Sequence, residues 1–346
     1  MPSFSDEIIS LEDKVKKAKL PEEIEEKTSG LLDRLSLLSE LGGYSQEYES
    51  VARYIDWVVS LPWKERTQDL LDISQAAKVL DKNHYGLPQI KERILEYLAV
   101  LILKKKEEET IRAPILCLVG LVGTGKTTLA YSIAEALGRR FIRLPFGGMG
   151  GAFQLRGQSR VMPDAEPGQT IKALRRAKAK NPVLLLDEID RVAEETRSDI
   201  MGVLVELLDP EQNSLFVDHY IDYPFDLSEV LFVTTANNTS TIATAVLDRL
   251  EIIQMPSYTD EEKIVIGKEY ILPKAIKDAG LSKDLLQIDP DVWHKIVRPL
   301  GYDAGMRSLE RTIEGVLRKI AKKTVEEGPK KNHLTSQNIK EYLPSW

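Results

Sequence analysis

The sequence predicts an α/β fold, a five-stranded parallel sheet between helices, preceded by a helical module and followed by a helical lid domain. Three observations predict it. Between about residue 114 and residue 256, short apolar runs at Ile115–Val119, 141–144, 183–186, 231–235 and 251–255 alternate with segments of helical apolar spacing. That is the pattern of strands buried on both faces and joined by crossover helices. The first run leads straight into Gly120-Leu121-Val122-Gly123-Thr124-Gly125-Lys126-Thr127, which fits the phosphate-binding pattern G-x-x-x-x-G-K-[ST] without a mismatch. On either side of this region the spacing is helical, so the expected domains are 1–72, 73–256 and 257–346.

Along the first segment, 8–18 and 24–41 carry helical spacing, with Pro21 near the start of the second, where a helix tolerates it. Gly42-Gly43 breaks the pattern, and a third helix ends in the aromatic-rich stretch 54–63, whose Trp57 and Trp63 are read as packing residues. Further helices are expected from about 73 to 80 and from 88 to 106, with the run 104–109 as a solvated helix end or linker. Beyond the sheet, helices are expected over 260–272, around 290–297 and over 307–326, closed by Gly328-Pro329.

The 47 basic and 54 acidic residues give a net charge of −7, which argues against general electrostatic attraction to nucleic acid, although Arg139-Arg140 or Arg175-Arg176 could form a local basic face. Cys117 is the one cysteine, so no intrachain disulfide forms, and a cytoplasmic or equivalent reducing interior is the expected setting. No apolar run reaches the ~18 residues of a membrane span. The four histidines have no metal-site spacing.

The strand 115–119, the glycine loop and the helical spacing after it form the strand, loop and helix that a phosphate site needs. Gly120, Gly123, Thr124, Gly125, Lys126, Thr127 and Thr128 are therefore expected to bind nucleotide. Backbone N–H groups at a helix N-terminus hold an anion, Lys126 reaches the terminal phosphates, and the Thr127 hydroxyl ligates Mg²⁺. The run 183–186 ends in Asp187 and Glu188. Asp187 suits Mg²⁺ through water, and Glu188 suits activation of the water that attacks the γ-phosphate. Asp190 is either part of this group or a helix cap. Asn237 ends the segment 232–237, of which the run 231–235 forms most, and is placed to hydrogen-bond the γ-phosphate and the attacking water. Arg249 and Arg307 are candidates for stabilising transition-state charge from a neighbouring subunit or from the lid, or are surface ion pairs.

Several strings, in this order, resemble the AAA+ ATPase portion of Lon-type ATP-dependent proteases: 81–87 (DKNHYGL), 94–100 (ILEYLAV), 185–190 (LLDEID), 207–213 (LLDPEQN), 218–220 (DHY), 224–228 (PFDLS) and 247–249 (LDR). The resemblance runs from about residue 20 to the end. It implies an AAA+ P-loop NTPase using ATP and Mg²⁺, in a homohexameric ring that threads unfolded protein toward a peptidase chamber. It also implies roles: Arg249 as a finger acting across a subunit boundary, Arg307 as the lid's sensor arginine, Asn237 as the first sensor, and His84 and Tyr85 at the adenine.

Three departures accompany it. The chain ends at Trp346 with no room for the family's peptidase domain and lacks its N-terminal β-domain, so a fragment is expected, with a stand-alone remodelling ATPase as the alternative. Met162 and Pro163 stand where the family's first pore loop carries an aromatic and an aliphatic residue, and Thr196 replaces a large apolar residue in the second. A weakened grip on polypeptide is expected from these changes. In the phosphate loop, Leu121-Val122 replace two prolines and Thr124 replaces valine, which should leave the loop less rigid.

Overall fold

The structure, a computed structural model, describes residues 4–40, 46–106, 115–298 and 306–344. The break at Gly42-Gly43, the acidic half of the 104–109 run and the residues just before Met306 lie outside them. In chain order the strands are β1 (Ile115–Val119), β2 (Phe141–Pro145), β3 (Val183–Asp187), β4 (Phe216–Val217), β5 (Pro224–Phe225), β6 (Leu231–Ala236), β7 (Leu250–Gln254), β8 (Leu286–Ile288) and β9 (Asn332–Leu334). Five of them form one parallel sheet in the order β2-β3-β6-β1-β7. The pairs β4 with β5 and β8 with β9 stand apart from it.

Strand order positions the chemistry. Because β6 lies between β1 and β3, Asn237 at the end of β6 falls between the phosphate loop after β1 and the acid pair ending β3. All three ends meet at the carboxyl edge of the sheet, where open α/β sheets bind their ligands.

In the central strands β1, β3 and β6 every residue is buried, so alternation sends side chains to two covered faces and these segments read as near-continuous apolar runs, whereas the edge strands β2 and β7 are only partly buried. Leu116, Leu118, Leu185 and Val233 pack under the helices Ile73–Asn83, Pro88–Lys106 and Lys126–Leu137. Cys117, Val119, Leu184 and Leu186 face the other way, into a core shared with Ile24, Leu35, Tyr54 and Val58 of the N-terminal helices. The N-terminal segment therefore continues the core of the sheet. Its Tyr54 hydroxyl donates to Ile221 O at 3.2 Å, and the Trp63 indole N–H donates to Val58 O at 2.8 Å while its ring meets Phe225. The Arg175 guanidinium lies over Trp57, its carbon 4.1 Å from the ring centroid. Arg175 also pairs with Asp56, and Arg139 is buried against Asp69, so two of the arginines in the candidate basic faces are already engaged within the chain.

The third core belongs to the C-terminal region, around Trp293, Ile313, Val316 and Ile320. Its first helix starts at Asp260 behind a capping box, in which Thr259 N donates to Glu262 at 2.8 Å and Glu262 N donates to Thr259 Oγ1 at 3.3 Å. The helix expected over 260–272 instead runs to Asp278 through a π-helical segment, Gly267–Ile271. At the start of that segment a Cβ at position 267 would come within 2.8 Å of the Trp293 ring, so glycine lets that ring press against the helix. The last long helix is Met306–Glu327. Among the described residues no helix is long and apolar enough to cross a membrane.

Candidate active site

A cleft of about 300 Å³ opens between the carboxyl edge of the sheet and the C-terminal helices. Gly123 and Gly125 hold φ near +86° and +90°, a region that side-chain-bearing residues avoid, and Gly125 caps the helix Lys126–Leu137. An ideal Cβ at Gly123 would lie 3.2 Å from the backbone N of Arg307, so the N-terminus of the helix Met306–Glu327 comes down onto the loop. Two helix N-termini thus converge on one glycine turn, and their dipoles favour a polyphosphate there.

The Lys126 ammonium donates to Gly120 O at 2.5 Å, to Leu121 O at 3.0 Å and to Asn237 Oδ1 at 3.3 Å. Burial lowers its pKa, and the carboxylates of Asp187, Asp190 and Glu188 oppose that shift. Thr127 and Thr128 line the cleft, whereas the Thr124 hydroxyl braces the loop through Leu121 O at 3.0 Å. Gly120 stands behind the lining, with its N–H on Ala236 O at 3.1 Å.

Asp187 is buried and accepts from Arg143 Nε at 2.6 Å on one oxygen and from the Thr235 hydroxyl on the other. Glu188 has φ near +58°, uncommon for a residue with a side chain, and its carboxylate lies 3.5 Å from Arg191. Asn237 Nδ2 is buried with no partner among the described residues. Asp190 sits in the single turn Ile189–Arg191 and accepts from Asn238 N at 3.4 Å, so it caps no long helix.

Lys126, Thr127, Asp187, Glu188, Arg307, His84 and Tyr85 line one cleft. Arg249 is outside the lining: its guanidinium donates to Asp209 at 2.7 Å and to Ala245 O at 2.7 Å, and this contact holds the Asp209 carboxyl below its usual range. Arg143, Thr235, Tyr258, Tyr270 and Ile271 also shape the site without having been singled out in the sequence. Burial pushes the Tyr258 hydroxyl up to about 12.

His84 is buried, with Nε2 2.9 Å from Ser132 Oγ. Burial first, then the Lys91 charge, pushes its pKa down to about 4 from the ordinary 6.5. The unfolded chain therefore takes up the proton first as pH falls. Stability contributed by the neutral ring is intact above pH 6.5 and is lost between 6.5 and about 4, by up to about 3 kcal/mol. His84→Gln should flatten the fall in thermal midpoint across that window; equal slopes in variant and wild type would contradict this assignment.

In the segment expected to form the first pore loop, Met162 is half-exposed and Pro163 exposed, but Val161, at 89% exposure, is its most exposed apolar side chain. The stem of that segment is pinned where the buried Asp218 accepts from Gly168 N at 2.7 Å. Thr196 precedes the helix Arg197–Leu208, with its hydroxyl on Met149 O at 3.4 Å.

Comparison with known proteins agrees with this geometry. Residues 116–258 match the family model of the ATPase family associated with various cellular activities (AAA), and residues 277–333 match that of the Lon protease AAA+ ATPase lid domain. The chain is 46% identical over 329 residues to a Lon protease of Desulforamulus reducens, covering 95% of this chain and 40% of that one. It is 45% identical over 320 residues to the Lon protease of Dictyoglomus thermophilum, covering 92% and 40%, and 43% identical over 337 residues to Lon protease 1 of Bacillus subtilis, covering 97% and 43%. The chain thus spans about two fifths of the length of these relatives. Glycine loop, acid pair, sheet order and both family matches converge: the chain belongs to the AAA family of ATPases, with a nucleotide-binding domain and lid of the Lon type.

Proposed function

We propose that this ATPase is the Mg-ATP-driven motor module of a Lon-like protease, coupling turnover to the unfolding and translocation of polypeptide. The observation that carries the reading is the gathering of Lys126, Asp187, Glu188 and Arg307 around one cleft beneath a lid. Lys126 and the loop N–H groups bind the phosphates, and Glu188 orients and deprotonates the attacking water. Asn237, whose Nδ2 has no partner among the described residues, holds that water or the γ-phosphate. Arg307 reaches the γ-phosphate from the lid. Arg249, outside its own chain's cleft, acts on a neighbour's nucleotide in a homohexameric ring. His84 and Tyr85 take the adenine end.

The donor set fits Mg²⁺. Thr127 and Asp187 line the same cleft, and each Asp187 oxygen carries one hydrogen bond and keeps lone pairs for water. Mg²⁺ retains several waters when bound, so Asp187 suits contact through water and Thr127 suits direct ligation. An ion held by these residues would neutralise charge on the transferring phosphate.

The ring and the polypeptide are tested together. The 39.0 kDa chain should run as a hexamer in the presence of ATP, and its ATP turnover should rise when an unfolded protein is added. A monomer whose turnover ignores unfolded protein would refute both parts.

A further inference from the structure

Thr235 is fully buried in β6, one residue beyond Thr234, the last position of that strand paired with β3. A buried hydroxyl is costly unless both its proton and its lone pair are used. Here both are used, and both on the acid pair. The Thr235 hydroxyl donates to Asp187 Oδ1, and Thr235 Oγ1 itself accepts from the backbone N–H of Glu188 at 2.9 Å.

Those two residues do not hold themselves. Asp187 ends β3 with its other oxygen on the half-exposed Arg143, a contact open to solvent. Glu188 turns away from the strand at φ near +58°, a conformation that persists only where the surroundings over-determine it. Thr235 supplies that constraint from the neighbouring strand. The preceding Thr234 is also buried, but its hydroxyl turns to Leu116 O at 3.4 Å, away from the acid pair.

We propose that Thr235 is a positioning residue for ATP hydrolysis: its hydroxyl fixes the Asp187 carboxylate and the Glu188 main chain relative to each other, and so sets the direction of the Glu188 side chain in the cleft. The inference rests on Glu188 acting as the base. Thr235 touches neither phosphate nor the loop that binds it, so it governs turnover and leaves ATP affinity to Lys126.

The chemistry allows a discriminating test. Valine keeps the shape of threonine without the hydroxyl; serine keeps the hydroxyl without the methyl. Thr235→Val should bind ATP with near wild-type affinity and unchanged KM while kcat falls on the order of 100-fold, the scale of a misplaced catalytic group. Thr235→Ser should restore wild-type kcat. A residue that serves packing alone gives the reverse order, valine active and serine impaired, and that order overturns the proposal. Thr235→Ser with less than about a tenth of wild-type turnover overturns it whether or not the valine variant folds. Glu188→Gln measured alongside separates the two levels: normal turnover there removes the base and this inference with it. Slow Glu188→Gln with fast Thr235→Val removes Thr235 alone.

Discussion

Lys126→Ala is expected to lower ATP affinity on the order of 100-fold or more, the worth of a charge-assisted contact of about 3 kcal/mol. The ammonium is held over the loop by Gly120 O and Leu121 O and reaches Asn237, so it is already placed where the phosphates enter. Its electrostatic surroundings raise the effect. Asp187, Asp190 and Glu188 all act on this amine, and without it an incoming polyanion meets three carboxylates beneath the loop. Titration with a fluorescent ATP analogue reads the loss. Affinity within about twofold of wild type would remove the phosphate-loop assignment.

Glu188→Gln should separate binding from chemistry. The amide is nearly isosteric with the carboxylate and leaves Lys126, Thr127 and the loop untouched, so ATP should bind as before. Turnover should fall on the order of 100- to 10,000-fold, because a positioned base contributes about that factor and the amide cannot accept the water's proton. Removing one negative charge beside the phosphates should, if anything, tighten binding. Steady-state phosphate release at saturating ATP measures the change, and a rate close to wild type would show that the base is elsewhere.

Much of the architecture was legible in the sequence because the central strands β1, β3 and β6 are buried on both faces, which produces the apolar runs ahead of the phosphate loop, the acid pair and Asn237. The edge strands β2 and β7 are only partly buried, and their apolar runs are interrupted by Arg143 and Glu251. The loop and the acid pair were legible for a related reason, since each follows such a run at the edge where ligands bind. Contacts between strands distant in sequence were not. Nothing in the spacing of 231–236 marks Thr235 apart from Thr234, because only the pairing of β3 with β6 decides which hydroxyl meets Asp187. Arg143 was missed for the same reason: its partner lies on the neighbouring strand. In the lid, a 3.6-residue period cannot locate Tyr270 and Ile271 at the cleft, since the π-helical turn beginning at Gly267 changes their direction. The resemblance marked 162, 163 and 196 as pore positions, but exposure makes Val161 the most prominent apolar side chain of the first loop.

The loop substitutions also take on a physical meaning. Leu121, at 67% exposure, and the partly exposed Val122 stand at the mouth of the phosphate loop, while the Lys126 contacts come from the carbonyls of Gly120 and Leu121. Those contacts use main-chain oxygens, so replacing the side chains at 121 and 122 leaves them in place.

Equilibrium ATP binding and steady-state ATP hydrolysis, measured side by side on wild type, Lys126→Ala and Glu188→Gln, test the central claim most directly. The account predicts that wild type binds and hydrolyses, Glu188→Gln binds without hydrolysing, and Lys126→Ala does neither. Hydrolysis at the wild-type rate by either variant would contradict it.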